Sequence, residues 1–135
     1  MTAQNATTIQ ELITHAAAVA ARAHCPYSHF HVGAALRATD GRIFTGCNVE
    51  NASYGLTICA ERNAVFQAVA QNIKSFTAIA IVADGKAIPY PCGACRQVLV
   101  EFCPPTLPVY IASREQPTTY QTLTLGELLP HTFQL

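Results

Sequence analysis

The segment Thr77-Ala78-Ile79-Ala80-Ile81-Val82 constrains the fold of this chain more than any other. It is a continuous run of β-branched and small apolar residues, the form expected of a strand covered on both faces. Asp84-Gly85 then turns the chain. Such a strand needs a layer on each side, and the flanking segments supply them. Ala60 to Ala70 is rich in helix formers, and Gly93 to Phe102 reads as a helix ended by Pro104-Pro105. Thr8-Ile9-Gln10-Glu11 has the form of a capping box, with Leu12, Ile13, Ala16, Val19, Ala20 and Ala23 following at helical spacing. A first helix is therefore predicted to run to about His24, where Pro26 stops it. Val32 to Leu36 and Ile43-Phe44 flank Thr39-Asp40-Gly41 as a hairpin, and Val109-Tyr110-Ile111 reads as a further strand. Gly46 to Gly55 has no clear period and reads as a loop, and a short element is expected near Leu125 to Leu129. The order is helix, strand, strand, helix, strand, helix, strand. Alternation of that kind implies a sheet with helices on both faces, a three-layer α/β/α sandwich.

Half of the 135 residues are hydrophobic, so one well-packed core is expected and the whole chain, 1–135, reads as a single domain. Charged residues make up 12%, against roughly a quarter in an average soluble domain. Eight basic and eight acidic residues cancel, and the basic ones are scattered from Arg22 to Arg114. That excludes a polyanion-binding surface, so no nucleic-acid partner is expected. No apolar run approaches the length of about 18 residues that a membrane helix needs, so no membrane partner is expected either. The first Lys or Arg is Arg22, so no charged region precedes an apolar one, and the protein reads as cytoplasmic. In a reducing compartment six cysteines point to metal binding or catalysis rather than to disulfides.

The sharpest chemical feature is Cys59-Ala60-Glu61 together with Pro91-Cys92-Gly93-Ala94-Cys95, each opening a predicted helix. Cys92 and Cys95 are three apart, so at a helix start both thiolates can face one point, and Cys59 can supply a third corner of a tetrahedron. The fourth corner is then free for water, which is the pattern of a catalytic zinc rather than a structural one. Cys25, Cys47 and Cys103 are badly placed for that corner and read as small buried hydrophobes. None of the five histidines has a partner at ligand spacing. Glu61, two residues from a proposed ligand, stands where a general base should. Three thiolates leave the centre negative, so something positive must offset them: two helix N-termini, and Arg62 or Arg96, with Arg62 preferred.

Cys-Ala-Glu followed by Pro-Cys-x-x-Cys is the signature of the zinc nucleoside and nucleobase deaminases. Within them the chain closely resembles the small homotetrameric cytidine deaminases. The resemblance runs through Cys25-Pro26-Tyr27-Ser28-His29-Phe30, Val32 to Leu36, Gly46-Cys47-Asn48-Val49-Glu50-Asn51-Ala52-Ser53-Tyr54-Gly55, Cys59 to Arg62, Pro91 to Gln97, and Leu128-Leu129-Pro130 with Phe133. It implies a central mixed sheet of about five strands, one Zn2+ per subunit, and hydrolytic deamination of cytidine and 2′-deoxycytidine. Glu61 would be the catalytic acid and base, and Cys59, Cys92 and Cys95 the metal ligands. Phe30 would stack on the pyrimidine, Asn48 and Glu50 would hold the ribose hydroxyls, Ala52 would add a substrate contact, and Ala60 would bind the base through its amide. Tyr54 and Phe133 would approach a neighbouring subunit's site in a homotetramer with shared pockets. Arg62, Arg96 and Gln97 would stand around the ligands. His31 sits where many relatives have proline, and little is expected from it.

Other readings stay open on the residues alone. Phe30 also suits a core position, Glu50 a plain surface carboxylate, and Arg62 a pairing with any exposed acid. Deamination of a related aminopyrimidine nucleoside such as blasticidin S shares the zinc motifs, but not the stretch from Asn48 to Ser53. A structural zinc module binding protein or nucleic acid is disfavoured by three ligands, a neutral chain and no basic patch. Glu50, Glu61, Arg62 and Arg96 are four of only sixteen charged residues, so the remaining surface is expected to be charge-poor and covered by other subunits.

Overall fold

A computed structural model describes residues 6–135. Its elements are α1 (Ala6–Ala20), β1 (Val32–Ala38), β2 (Ile43–Cys47), α2 (Ala60–Ala70), β3 (Phe76–Ala83), α3 (Gly93–Phe102), β4 (Pro108–Ser113), β5 (Gln116–Thr124) and α4 (Leu125–Leu128), with a 3-10 turn at Tyr54–Leu56. The apolar run lies in β3, the middle strand of a sheet ordered β2-β1-β3-β4-β5. Among the described strand pairs of the sheet, β3–β4 alone is parallel, with Ile79 opposite Val109. The sheet is therefore mixed, and the three-layer arrangement is the one found.

β3 is apolar apart from Thr77 because each face meets a different helix layer. Ile79 and Ile81 join Val65 of α2, Leu99 of α3 and Leu125 of α4 in one core. Ala78, Ala80 and Val82 join Ile9, Leu12, Ile13 and Ala16 of α1 in the other. Two glycines let the helices approach on opposite faces. A Cβ at Gly33 would stand 2.0 Å from the Ala16 carbonyl oxygen, and one at Gly46 would stand 2.4 Å from the Ala64 nitrogen. No described helix is long and apolar enough to cross a membrane.

Three expectations are corrected. α1 ends at Ala20 rather than near His24. Arg22 N–H bonds Val19 O, after which His24 N–H bonds Asn48 O and Glu50 N–H bonds His24 O, so pairing with the 48–50 segment draws the chain out of the helix before Pro26 can stop it. Thr8 lies inside α1, which is already helical at Ala6, so the predicted capping box does not open the helix. β5 was not among the predicted strands: it is an edge strand whose residues are mostly exposed, with no apolar alternation to mark it. A capping box does occur at α4, where Thr124 and Glu127 exchange side-chain and backbone hydrogen bonds.

Candidate metal centre

Cys59 and Cys92 occupy the N-cap positions of α2 and α3, with extended backbone at both. Helix N-caps favour Ser, Thr, Asp or Asn because their side chains bind the free amides. Neither cysteine makes such a bond, which leaves both sulfurs for another partner. Cys95 lies in the first turn of α3 and is buried. Cys59 Sγ and Cys92 Sγ are 3.8 Å apart, Cys92 Sγ and Cys95 Sγ 3.5 Å, and all three atoms lie within 4.8 Å of one another. Zn–S bonds of about 2.3 Å in a tetrahedron set sulfurs about 3.8 Å apart, so the trio fits zinc. Among the described residues no other His, Cys, Asp or Glu group gathers in this way.

The electrostatics suit that cation. The hydrogen bond from Cys95, and then Arg62, draw the Cys59 thiol down to about 5 against the effect of burial. Cys95 is pushed upward by the same bond and by its burial. Arg62 Nη2 donates to Cys59 Sγ at 3.4 Å, and its Nε is buried with no partner among the described residues. Arg96 is turned elsewhere: Nε donates to Pro91 O at 2.7 Å and Nη1 to Leu128 O at 2.6 Å, which ties the start of α3 to the end of α4. Glu61, on the first turn of α2, is 5% exposed. Burial pushes its carboxyl up to about 7, with the Cys59 sulfur acting in the same direction and Arg62 opposing. A carboxyl near neutrality can both take and return a proton. Burial raises the other thiols, Cys103 to about 12, and none of them belongs to the cluster.

Of the remaining predicted site residues, four line two separate clefts: Glu50 and Tyr54 in one, Gln97 and Phe133 in the other. One, of about 390 Å³, is lined by Tyr27, Ser28, Glu50, Tyr54 and Thr57. Glu50 Oε1 accepts from Tyr27 N at 3.0 Å and Ser28 N at 3.2 Å, and Oε2 accepts from Ser28 Oγ. These bonds, the Ser28 hydroxyl foremost, hold its carboxyl below the usual range. Asn48 is buried, accepting from Val32 N at 2.9 Å and donating to Phe30 O at 2.8 Å. The Phe30 ring is 44% exposed, so it is not a core side chain. Tyr54 meets Tyr27 edge-on at 6.0 Å between ring centroids. Ala52 is exposed in the bend before the 3-10 turn, and Ala60 is buried at the first position of α2, where a helix leaves its amide without an intrahelical acceptor.

Phe133 and Gln97 line a different cleft, of about 370 Å³, between α3 and the last residues, and share no lining residue with the first. Sequence reasoning gave no role to Tyr27, Ser28 or Thr57, although Ser28 stands two residues before Phe30, the spacing of a serine turn. It also missed Asp84, which accepts from His31 N at 2.7 Å, meets His31 Nδ1 at 2.8 Å and accepts from Arg114 Nη1 at 2.8 Å. His31, from which little was expected, anchors the entry to β1.

Known proteins share this arrangement. Residues 6–111 match the cytidine and deoxycytidylate deaminase zinc-binding region. The chain is 48% identical to the cytidine deaminase of Halalkalibacterium halodurans over 124 residues, covering 92% of each. It is 46% identical to that of Sporosarcina psychrophila over 125 residues, covering 93% of this chain and 90% of the relative. Among solved structures, the cytidine deaminase from Burkholderia pseudomallei superposes with a TM-score of 0.86 at 47% identity, covering 91% of this chain and 97% of that one.

Proposed function

The chain belongs to the cytidine and deoxycytidylate deaminase family, and from that premise we propose that it hydrolyses cytidine and 2′-deoxycytidine to uridine and 2′-deoxyuridine, releasing ammonia. The observation that carries this reading is the buried Glu61 set two residues from one of three sulfurs spaced for zinc. Zinc held by Cys59, Cys92 and Cys95 supplies the Lewis acidity that makes water a nucleophile at neutral pH. Glu61 takes a proton from the attacking water and gives it to N3 as C4 becomes tetrahedral, then takes the proton of the new C4 hydroxyl and gives it to the amine as the C4–N bond breaks and C4 becomes a carbonyl. Arg62 offsets the charge of the sulfurs, and Arg96 holds the turn that presents Cys92. Phe30 stacks on the pyrimidine, Asn48 and Glu50 receive the ribose hydroxyls, and Ala60 meets the base with its amide. Tyr54 bounds the cleft, and Ala52 adds a substrate contact.

The full chain acts as one catalytic domain and assembles as a homotetramer with shared sites. Support for the assembly comes from exposed apolar side chains, Tyr54 at 76% and Phe133 at 69% among them, on a charge-poor surface. Phe133 does not line its own chain's Glu50 cleft, and in the tetramer it would serve a neighbour's. A cytoplasmic location accords with six free cysteines. The relatives reported above, all cytidine deaminases, count against blasticidin S as the natural substrate.

The test is loss of ultraviolet absorbance when the purified zinc-loaded protein meets cytidine, deoxycytidine, cytosine, adenosine and blasticidin S. Turnover of the first two is expected, and none with cytidine would overturn the reading. Glu61→Gln should retain zinc by metal analysis while kcat falls by about 10²–10⁴.

A further inference from the structure

We infer that Ser28 is a positioning residue that joins recognition of the sugar and stacking of the base into one mechanical unit. The inference rests on the deaminase reading, which sets Phe30 against the pyrimidine and Asn48 and Glu50 against the ribose. The exposed ring of Phe30 is not held by core packing, so the peptide groups on either side of it must fix its direction. Its carbonyl accepts from Asn48 Nδ2 at 2.8 Å. Its N–H donates to Ser28 Oγ at 3.0 Å, and the Ser28 hydroxyl bonds Glu50 Oε2. An ionised carboxylate only accepts, so the single hydroxyl hydrogen points to Glu50 and the relay runs one way, from the Phe30 amide through Ser28 to the carboxylate. The two side chains that receive the sugar thus also hold the two peptide groups that aim the stacking ring.

The intervening backbone is shaped for this relay. His29 has φ +57°, in the left-handed region that a side chain disfavours, and that turn brings the Ser28 hydroxyl back to the Phe30 amide. Capacity at Glu50 is also limited. A carboxylate offers about four acceptor sites, and the Tyr27 amide, the Ser28 amide and the Ser28 hydroxyl occupy three of them. The remaining site suits a single sugar hydroxyl. Its neighbour falls to Asn48, whose amide keeps one N–H and one acceptor site unused by these bonds. Removing the Ser28 hydroxyl frees both the carboxylate and the ring, and the register between the two halves of the substrate is lost.

The experiment compares cytidine with 2′,3′-dideoxycytidine, which lacks the paired hydroxyls, on zinc-loaded protein. Ser28→Ala should raise KM for cytidine about tenfold, the order expected for a lost hydrogen bond to a charged group, with kcat within about twofold. Wild-type protein should strongly prefer cytidine to the dideoxy substrate, and in Ser28→Ala the ratio of the two KM values should shrink about fivefold or more. Ser28→Thr, which keeps the hydroxyl, should restore both values, and Ser28→Cys, a weak donor of similar shape, should fall between them. A purely structural role would raise both KM values together, so an unchanged ratio, or an unchanged KM for cytidine, overturns the inference. Wild-type protein that leaves cytidine untouched would overturn the deaminase reading itself, and the inference with it.

Discussion

The metal centre and the Glu50 cleft adjoin the same stretch of chain but are built in different ways. At the metal centre the groups sit at the starts of two helices, Glu61 and Cys95 are buried, and Arg62 supplies local compensating charge. Helix starts held against a sheet are stiff, which suits groups that must match a cation to a few tenths of an ångström. The cleft is open, and Phe30, Tyr27 and Tyr54 have much of their rings in solvent. Its geometry is set by hydrogen bonds between backbone groups and side chains, with Glu50 and Ser28 accepting and Asn48 donating, rather than by packing. On the proposed reading, the chemistry is preset by helix starts, while recognition rests on a polar frame.

If the two regions are separable, damage to one should spare the other. The largest effect is expected from Cys95→Ala: zinc content should fall from about one per chain to near none, and turnover to background, by metal analysis and the ultraviolet assay. Zinc retained at full occupancy would remove Cys95 from the ligand set. Next comes Phe30→Ala, which should leave zinc unchanged and raise KM for cytidine by about 5- to 100-fold, the worth of one base stacked on an aromatic ring. Loss of zinc in that variant would show that the two regions are a single unit.

The smallest effect concerns Asp84, which holds His31 beside Phe30. Burial works against its carboxylate, but the His31 amide and ring and Arg114 outweigh it and hold the carboxyl below its ordinary value. A depressed folded-state value means that the stabilisation is complete above the unfolded value of about 3.9 and disappears as pH falls through the folded-state one. Asp84→Asn should therefore lower stability to urea at pH 7, and the gap to wild type should narrow as pH falls below about 3.9. A gap that persists in acid would mean that shape, not charge, makes Asp84 matter. Because the network ends at His31, a modest rise in KM for cytidine without loss of zinc is also expected.

Much of the fold was legible because its cues are local. The β-branched run marks β3, and helix formers following Cys59 and Cys92 mark α2 and α3 at the ends observed. β5 escaped because an edge strand with both faces largely wet carries no alternation. The end of α1 escaped because a contact with Asn48, twenty-four positions along from His24, overrides the local helical pattern. The chemistry of Cys59, Glu61, Cys92 and Cys95 stood out as a motif, whereas Ser28 and Asp84 did not, because their partners are set by loop packing.

By itself the sequence determined the order of elements apart from β5, the family, and which residue types are available for a metal and a proton carrier. Only the tertiary structure decided that sulfurs 33 positions apart meet at 3.8 Å, that Arg62 rather than Arg96 faces them, and that Glu50 reaches back 22 positions to hold Ser28. Periodicity and capping act over a few residues. Separations between distant residues follow from sheet register and from how closely helices seat on the strands, here at Gly33 and Gly46, where no side chain intervenes.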